Sequence, residues 1–375
     1  MRLKTKKGVK LGEVGMIFMS ALSLVLILKF PEVSIEYINR GLKLCVSTVI
    51  PSLFPFMVVS ELIVAGGFAE SVGAFFKKPA RLLFGISGEG ASAFLLGTLC
   101  GFPIGTRVAI SLYERGRISR EELSRLVCFS NNPSSAFVIS AVGVGLFGCR
   151  EFGVALYVIT IASSVTIGII QNLLLPSDKL IIVSKSTKDT RGQGGIAVFS
   201  EAVSSSASAM LKVCAFIVFF SSFTGVVGVL LSYFGVPQSA RALLFSFFEL
   251  TCGASEAACV SELSVAVLVA AFAVGWSGLS VHFQMIGLCN GISIPLTRYF
   301  LSKLGEGALN AVLVLLYFKG FSDNLHFDAK SVGVFSVLEA NGGALHFALD
   351  FFFVLCLAFG IFKRFKKKKE RVVSR

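Results

Sequence analysis

The chain has 375 residues, of which 54% are hydrophobic and only 15% charged, and its mean hydropathy is +0.81. These values identify an integral membrane protein. The net charge of +13 would suit nucleic acid, but the Lys and Arg lie in short clusters between apolar runs, which is the positive-inside pattern and not a binding stripe.

Nine cysteines are scattered singly, most of them inside apolar runs (Cys45, Cys100, Cys128, Cys214, Cys252, Cys289, Cys356), and no CxxC occurs. That usage argues against a disulfide frame and against a metal site. No Walker A loop, GxSxG or HExxH is present, so catalysis has no local support and no cofactor is expected.

In chain order, a basic N-terminus (Arg2 to Lys10) precedes an apolar run at Val14–Leu28. Without a small-residue cleavage site after it, the run reads as an uncleaved first span. A second span covers about 42–66 and contains Pro51 and Pro55. The stretch 90–113 is broken at Gly101-Phe102-Pro103-Ile104-Gly105 and lies between two basic segments, Lys77–Arg81 and Glu114–Arg125. Basic flanks on both sides predict a re-entrant hairpin. Ser119 with Glu122 resembles a capping box, so Glu114–Arg125 reads as an amphipathic surface helix. Spans follow near 126–148 and 152–175, the first opening on Ser130-Asn131-Asn132-Pro133-Ser134. A polar stretch at 176–198 reads as a cytoplasmic linker. Beyond it come a span at 211–232, a second broken segment at 242–261, spans at 263–290, 304–320 and 343–362, and a basic tail.

The expected fold is therefore an all-α polytopic membrane protein of about eight spanning helices with two re-entrant broken hairpins. On that topology 26 Lys and Arg lie on the side of both termini and seven on the other, which favours N-in, C-in. The halves 42–175 and 199–320 repeat one order of breaks: Leu99-Cys100-Gly101 answers Thr251-Cys252-Gly253, and Ser130-Asn131-Asn132 answers Ser277-Gly278-Leu279. Because the first half begins outward-to-inward and the second inward-to-outward, the halves read as inverted repeats. Secondary transporters of that design place the substrate where the broken helices meet.

PSLFPF at 51–56, GFPIG at 101–105, FSNNPS at 129–134 and GLSVHFQ at 278–284 resemble the YlbJ (SpoVV) family of sporulation integral membrane proteins, within the nucleoside-transporter-like Gate group. The resemblance covers about residues 40–320. It departs from the family's pattern at Phe102, where members often have Tyr, and in the asparagine motif. It implies movement of dipicolinate across the outer forespore membrane.

The candidate substrate site comprises Gly101, Phe102, Pro103, Gly105, Arg107, Ser130, Asn131, Asn132, Thr251, Ser255, Ser277 and Ser280, with Glu249 and Glu256 as ion-coupling carboxylates. A cation at bilayer depth needs a partner, so Arg107 reads either as a fork for a substrate carboxylate or as half of a structural ion pair. Asn132 before Pro133 has the form of a helix N-cap, which would present free N–H groups to an anion. Glu249 and Glu256 are read equally well as coupling groups, as partners of Arg107, or as solvated flanks. Glu61, His282 and Gln284 also fall in apolar segments, and His346 with Asp350 read as a local i, i+4 pair. The expected partners are a small organic anion and, at the basic tail, anionic lipid. Oligomeric state, a homo-oligomer included, stays open. The alternative readings are a nucleoside or other polar-solute carrier and a non-transporting membrane scaffold.

Overall fold

The computed structural model describes residues 21, 23–66, 68–174, 195–289 and 291–321, and every regular element among them is a helix. The span expected at 343–362, the tail, His346, Asp350 and most of the 176–198 linker lie outside the described residues.

Helix α1 (Pro31–Leu44) starts on Pro31 at its first turn, where a missing N–H costs nothing. It runs through a π turn (Cys45–Val49) into α2 (Ile50–Ala65). The Ile50 N–H reaches back to the Cys45 carbonyl, so the ladder widens directly before Pro51 and the helix continues through both prolines. Next come α3 (Phe68–Phe84), α4 (Gly88–Cys100), α5 (Ile104–Glu114) and α6 (Arg120–Phe129). A non-helical stretch leads to an apolar π segment (Ala136–Leu146) and then to α7 (Arg150–Leu174). The second half contains α8 (Gly195–Tyr233), α9 (Gln238–Phe248), α10 (Leu250–Ala258), α11 (Leu263–Trp276), α12 (Gly278–Leu288) and α13 (Leu296–Phe321).

Four helical stretches among the described residues are long and apolar enough to cross a membrane: Arg150–Leu174, Gly195–Tyr233, Leu263–Leu288 and Leu296–Gly320. A fifth candidate, Phe75–Phe84 with Gly88–Cys100, is bent by 85°. At 39 residues, α8 would reach roughly 58 Å, about twice the hydrocarbon thickness. The expected span near 126–148 is instead two short pieces, α6 and the π segment, separated by the asparagine turn.

Helices α4 and α5 form a hairpin, and the start of α4 is tied to the segment that follows α5. The Glu122 carboxylate accepts from the Ser87 N–H at 2.6 Å and from its hydroxyl at 2.5 Å. One turn further on, Arg117 Nε lies 3.4 Å from Glu89 Oε2. The arms have 13 and 11 residues, roughly 20 and 16 Å, too short to cross a core of about 30 Å. The capping box is half formed. Ser119 Oγ accepts from the Glu122 N–H at 3.1 Å, but the Glu122 side chain is drawn away to Ser87. In consequence α6 is not a surface helix: Glu122 through Phe129 are buried.

Helices α9 and α10 form a second hairpin, hinged at Glu249 and not at the expected Thr251-Cys252-Gly253. The Glu249 carboxylate accepts from the Cys252 N–H at 2.7 Å and so caps α10. Gly253 lies inside that helix, and a methyl there would meet the Ser246 backbone of the opposite arm. Its glycine serves close approach instead of the turn.

The main core joins α3–α6 to α12 and the start of α13, and a second core joins the π segment and α7 to α9–α11. Helices α11 and α13 touch through small residues, with a methyl at Gly275 falling 2.8 Å from Gly307 Cα.

The hairpin geometry predicts sidedness. Single cysteines at the exposed positions Lys78 and Glu114, in a background without accessible native thiols, should react with an impermeant maleimide from the same face. Labelling from opposite faces would make 88–114 a full crossing.

Candidate functional site

Each hairpin hinge packs on a second break. In the first half, Gly101 (φ 83°) ends α4 and the Phe102 N–H donates to the Asn132 carbonyl at 2.7 Å. Gly97 and Gly105 face one another across the hairpin, and a side chain on either would overlap the Ser130 carbonyl oxygen. The turn after α6 therefore sits in a glycine cleft between the hairpin arms. In the second half, α11 ends at Ser277, the one non-glycine residue with positive φ (72°) among the described residues. Gly278 (φ 82°) follows, and a methyl on it would lie 3.0 Å from Glu249 Cα and Leu250 N. The second hinge thus rests on the Ser277–Gly278 break.

At the first junction Asn132 is 2% exposed and does not cap a helix. Its amide donates to the Phe129 carbonyl at 3.1 Å and to Ser164 Oγ at 2.9 Å. The following helix begins three residues later, where Ser134 Oγ accepts from the Phe137 N–H. The amide oxygen of Asn132 faces Lys303 Nζ at 3.4 Å.

Lys303 is the centre of the site. It is 0% exposed and donates to the Asn131 carbonyl at 3.2 Å, to Asn132 Oδ1, and to Glu306 Oε2 at 2.7 Å. Glu306 is also 0% exposed, and its Oε1 has no hydrogen-bond partner among the described residues. One turn outward, the Tyr299 hydroxyl meets His282 Nδ1 at 2.8 Å and lies beside the Asn131 amide. The His282 ring packs edge-on against Trp276, Tyr299 and Phe300, and its Nε2 has no partner among the described residues. One turn inward, Asn310 Nδ2 donates to Thr160 Oγ1 at 3.0 Å and to the Ala271 carbonyl at 3.4 Å.

Depth follows from the charges at the start of α13. Arg298 pairs with the exposed Glu121 at 2.9 Å, which marks the polar edge. Glu306 lies roughly 12 Å further along the helix axis, close to the middle of a core about 30 Å thick. A buried, hydrogen-bonded charge pair at that depth, beside unwound backbone, is costly to carry in an apolar segment.

No family model and no solved structure matches the chain. The sporulation integral membrane protein YlbJ of Bacillus subtilis (strain 168) is 29% identical to it over 329 residues, 78% of this chain and 79% of YlbJ. The chain is a YlbJ relative. The family resemblance carried by the four sequence motifs is thereby supported, as is a multi-pass membrane protein.

In this YlbJ relative, Arg107 is occupied. Its Nε lies 3.0 Å from Glu61 Oε1, and its terminal nitrogens donate to the Ser205 carbonyl at 3.1 Å and to Ser205 Oγ at 2.6 Å. The guanidinium ties the first hairpin to α2 and α8, which is the structural ion-pair reading. Glu256 lies 3.9 Å from Arg241 and is 31% exposed, so it pairs neither with Arg107 nor with the buried site. Glu249 is buried as a helix cap. Ser280 is buried and accepts from Gln284 at 3.2 Å, and Thr251 and Ser255 are half-buried on α10. Gly101, Phe102, Pro103 and Gly105 meet the Ser130–Asn132 turn, while Ser277 meets the second hinge.

Four residues of the buried cluster were not singled out from sequence: Tyr299, Lys303, Glu306 and Asn310. The charge count puts Lys303, with Arg298, among the 26 basic residues on the side of the termini, whereas the structure buries it completely. Their spacing of four, three and four places them on one face of a helix, a polar stripe in an otherwise apolar segment. That stripe is the signal that identifies them.

The Arg107–Glu61 geometry predicts a non-additive pair. Arg107→Gln should lower the thermal midpoint in detergent, because it leaves a largely buried carboxylate unpaired, a loss of about 3–5 kcal/mol for such pairs. Adding Glu61→Gln should recover part of that loss. An Arg107→Gln midpoint equal to wild type would show that the pair carries no structural load.

Proposed function

We propose that this protein is a secondary transporter of a small organic anion. Lys303 and the unwound Asn131–Asn132 turn form the substrate site, and transport proceeds by alternating access between two inverted halves. The observation that carries the reading is the fully buried Lys303–Glu306 pair touching a broken helix near bilayer mid-depth. Carrying such groups in hydrocarbon is costly, and contact with an unwound turn gives this pair a use beyond bracing helices. The paired hinge-on-break junctions support the inverted-repeat architecture, since each half places a short hairpin against an interrupted helix.

Dipicolinate is the substrate that the YlbJ resemblance suggests, moved across the outer forespore membrane with both termini cytoplasmic and no catalytic step. Its two carboxylates need positive potential at depth. Arg107 is committed to Glu61, which leaves that role to Lys303. The basic tail is suited to anionic lipid. One observation favours a neutral polar solute as the second reading: Arg107 and Lys303 already have carboxylate partners.

The test is exchange of labelled dipicolinate and of labelled uridine in proteoliposomes. Wild-type protein should exchange dipicolinate, and Lys303→Gln should abolish it while Arg107→Lys retains part. Lys303→Met with Glu306→Gln, which removes both charges together, should remain folded and inactive. Uridine exchange without dipicolinate exchange would replace the anion reading by the neutral one.

A further inference from the structure

We infer that Glu306 is the proton carrier of this transporter, and that protonating it releases Lys303 to bind the substrate carboxylate. The inference rests on the transporter reading and adds its coupling ion. An ammonium has three N–H donors, and those of Lys303 are committed to the Asn131 carbonyl, Asn132 Oδ1 and Glu306 Oε2. A carboxylate can reach Lys303 only if one acceptor yields. Two of them are neutral groups of the asparagine turn, and the turn's backbone is held by the Phe102 N–H and the glycine cleft. Glu306 is the acceptor whose hold on Lys303 chemistry can switch.

Its geometry suits that change. Oε2 holds Lys303, whereas Oε1 is buried and has no partner among the described residues. A proton arriving from the open side adds to Oε1, converting the carboxylate to a neutral acid and giving the pair a net charge of plus one. The ammonium then turns from Oε2 to the substrate carboxylate. On the opposite side the steps reverse: the substrate leaves, Glu306 returns its proton to water, and the ion pair re-forms. Without the proton, a dianion would enter a site of zero net charge at mid-depth, which is prohibitive.

The surroundings single out this carboxyl. From α6 the facing titratable group is Cys128, and the charged Arg125, Glu121 and Arg298 form their own network nearer the edge. Helix α12 contributes His282, joined to the site through Tyr299, and its end contributes Cys289. Helix α11 presents Phe272, Gly275 and Trp276 to α13, and α7 presents Thr160, Ile167 and Gln171, none of them charged. A bound Na⁺ is disfavoured by an ammonium 2.7 Å from Glu306.

The experiment uses full-length protein in proteoliposomes with dipicolinate as the probe, the membrane potential clamped to zero and protein-free vesicles as the blank. With the outside one pH unit more acidic, one-for-one coupling should accumulate the anion about tenfold, and a trapped pH dye should report one proton entering per anion. A sodium gradient alone should drive nothing. Glu306→Gln should lose accumulation and proton entry, keep dipicolinate exchange, and make that exchange independent of pH. Glu306→Asp, which retains a titrating group and guards against loss of the fold, should stay coupled. Accumulation by Glu306→Gln equal to wild type, loss of coupling in His282→Gln instead, or accumulation driven by sodium would each overturn the assignment while leaving the transporter reading intact. Absence of dipicolinate exchange in wild type would overturn both.

Discussion

A backbone N–H or C=O released by a broken helix cannot be left bare in hydrocarbon, and this constraint shapes the whole molecule. The chain meets it by docking one break onto another. The Phe102 N–H finds the Asn132 carbonyl, and the Ser130 carbonyl enters the cleft between Gly97 and Gly105. In the second half the Glu249 hinge lies against Ser277–Gly278, with Glu249 itself capping the helix it starts. Glycine at these contacts is a packing requirement, because a single methyl would push the two breaks apart.

The buried charges follow from the same arrangement. A carbonyl and an amide oxygen exposed by the asparagine turn form two of the three acceptors around Lys303, and Glu306 supplies the third. Removing the turn would strand the ammonium, and removing the ammonium would leave the turn's oxygens without a donor. Arg107 meets the constraint differently, through Glu61 and Ser205 on two neighbouring helices, and so works as a brace for the first hairpin. Arg107 and Lys303 thus differ in their surroundings: the partners of Arg107 lie on helices, whereas two of the three acceptors of Lys303 belong to an unwound turn.

Composition and local pattern by themselves determined the all-helical membrane class, the place of the first hairpin break, the paired order of breaks and the family motifs. These depend on near-neighbour chemistry: apolar run length, and glycine or proline where a helix cannot continue. They were less reliable where a residue had two uses. Glycine at 253 suggests a hinge but serves close approach, and Asn132 has the form of a cap but turns its amide inward. Only tertiary structure decided which charges meet. Glu61 and Arg107 are 46 positions apart, and Asn131 and Lys303 are 172 apart. Pairing over such separations depends on how helices pack in three dimensions, and no local spacing encodes it. The stripe of Tyr299, Lys303, Glu306 and Asn310 was present in the sequence, but its meaning depended on the face to which α13 turned: inward, against the broken helices, where a charge must have a partner to be tolerated at all.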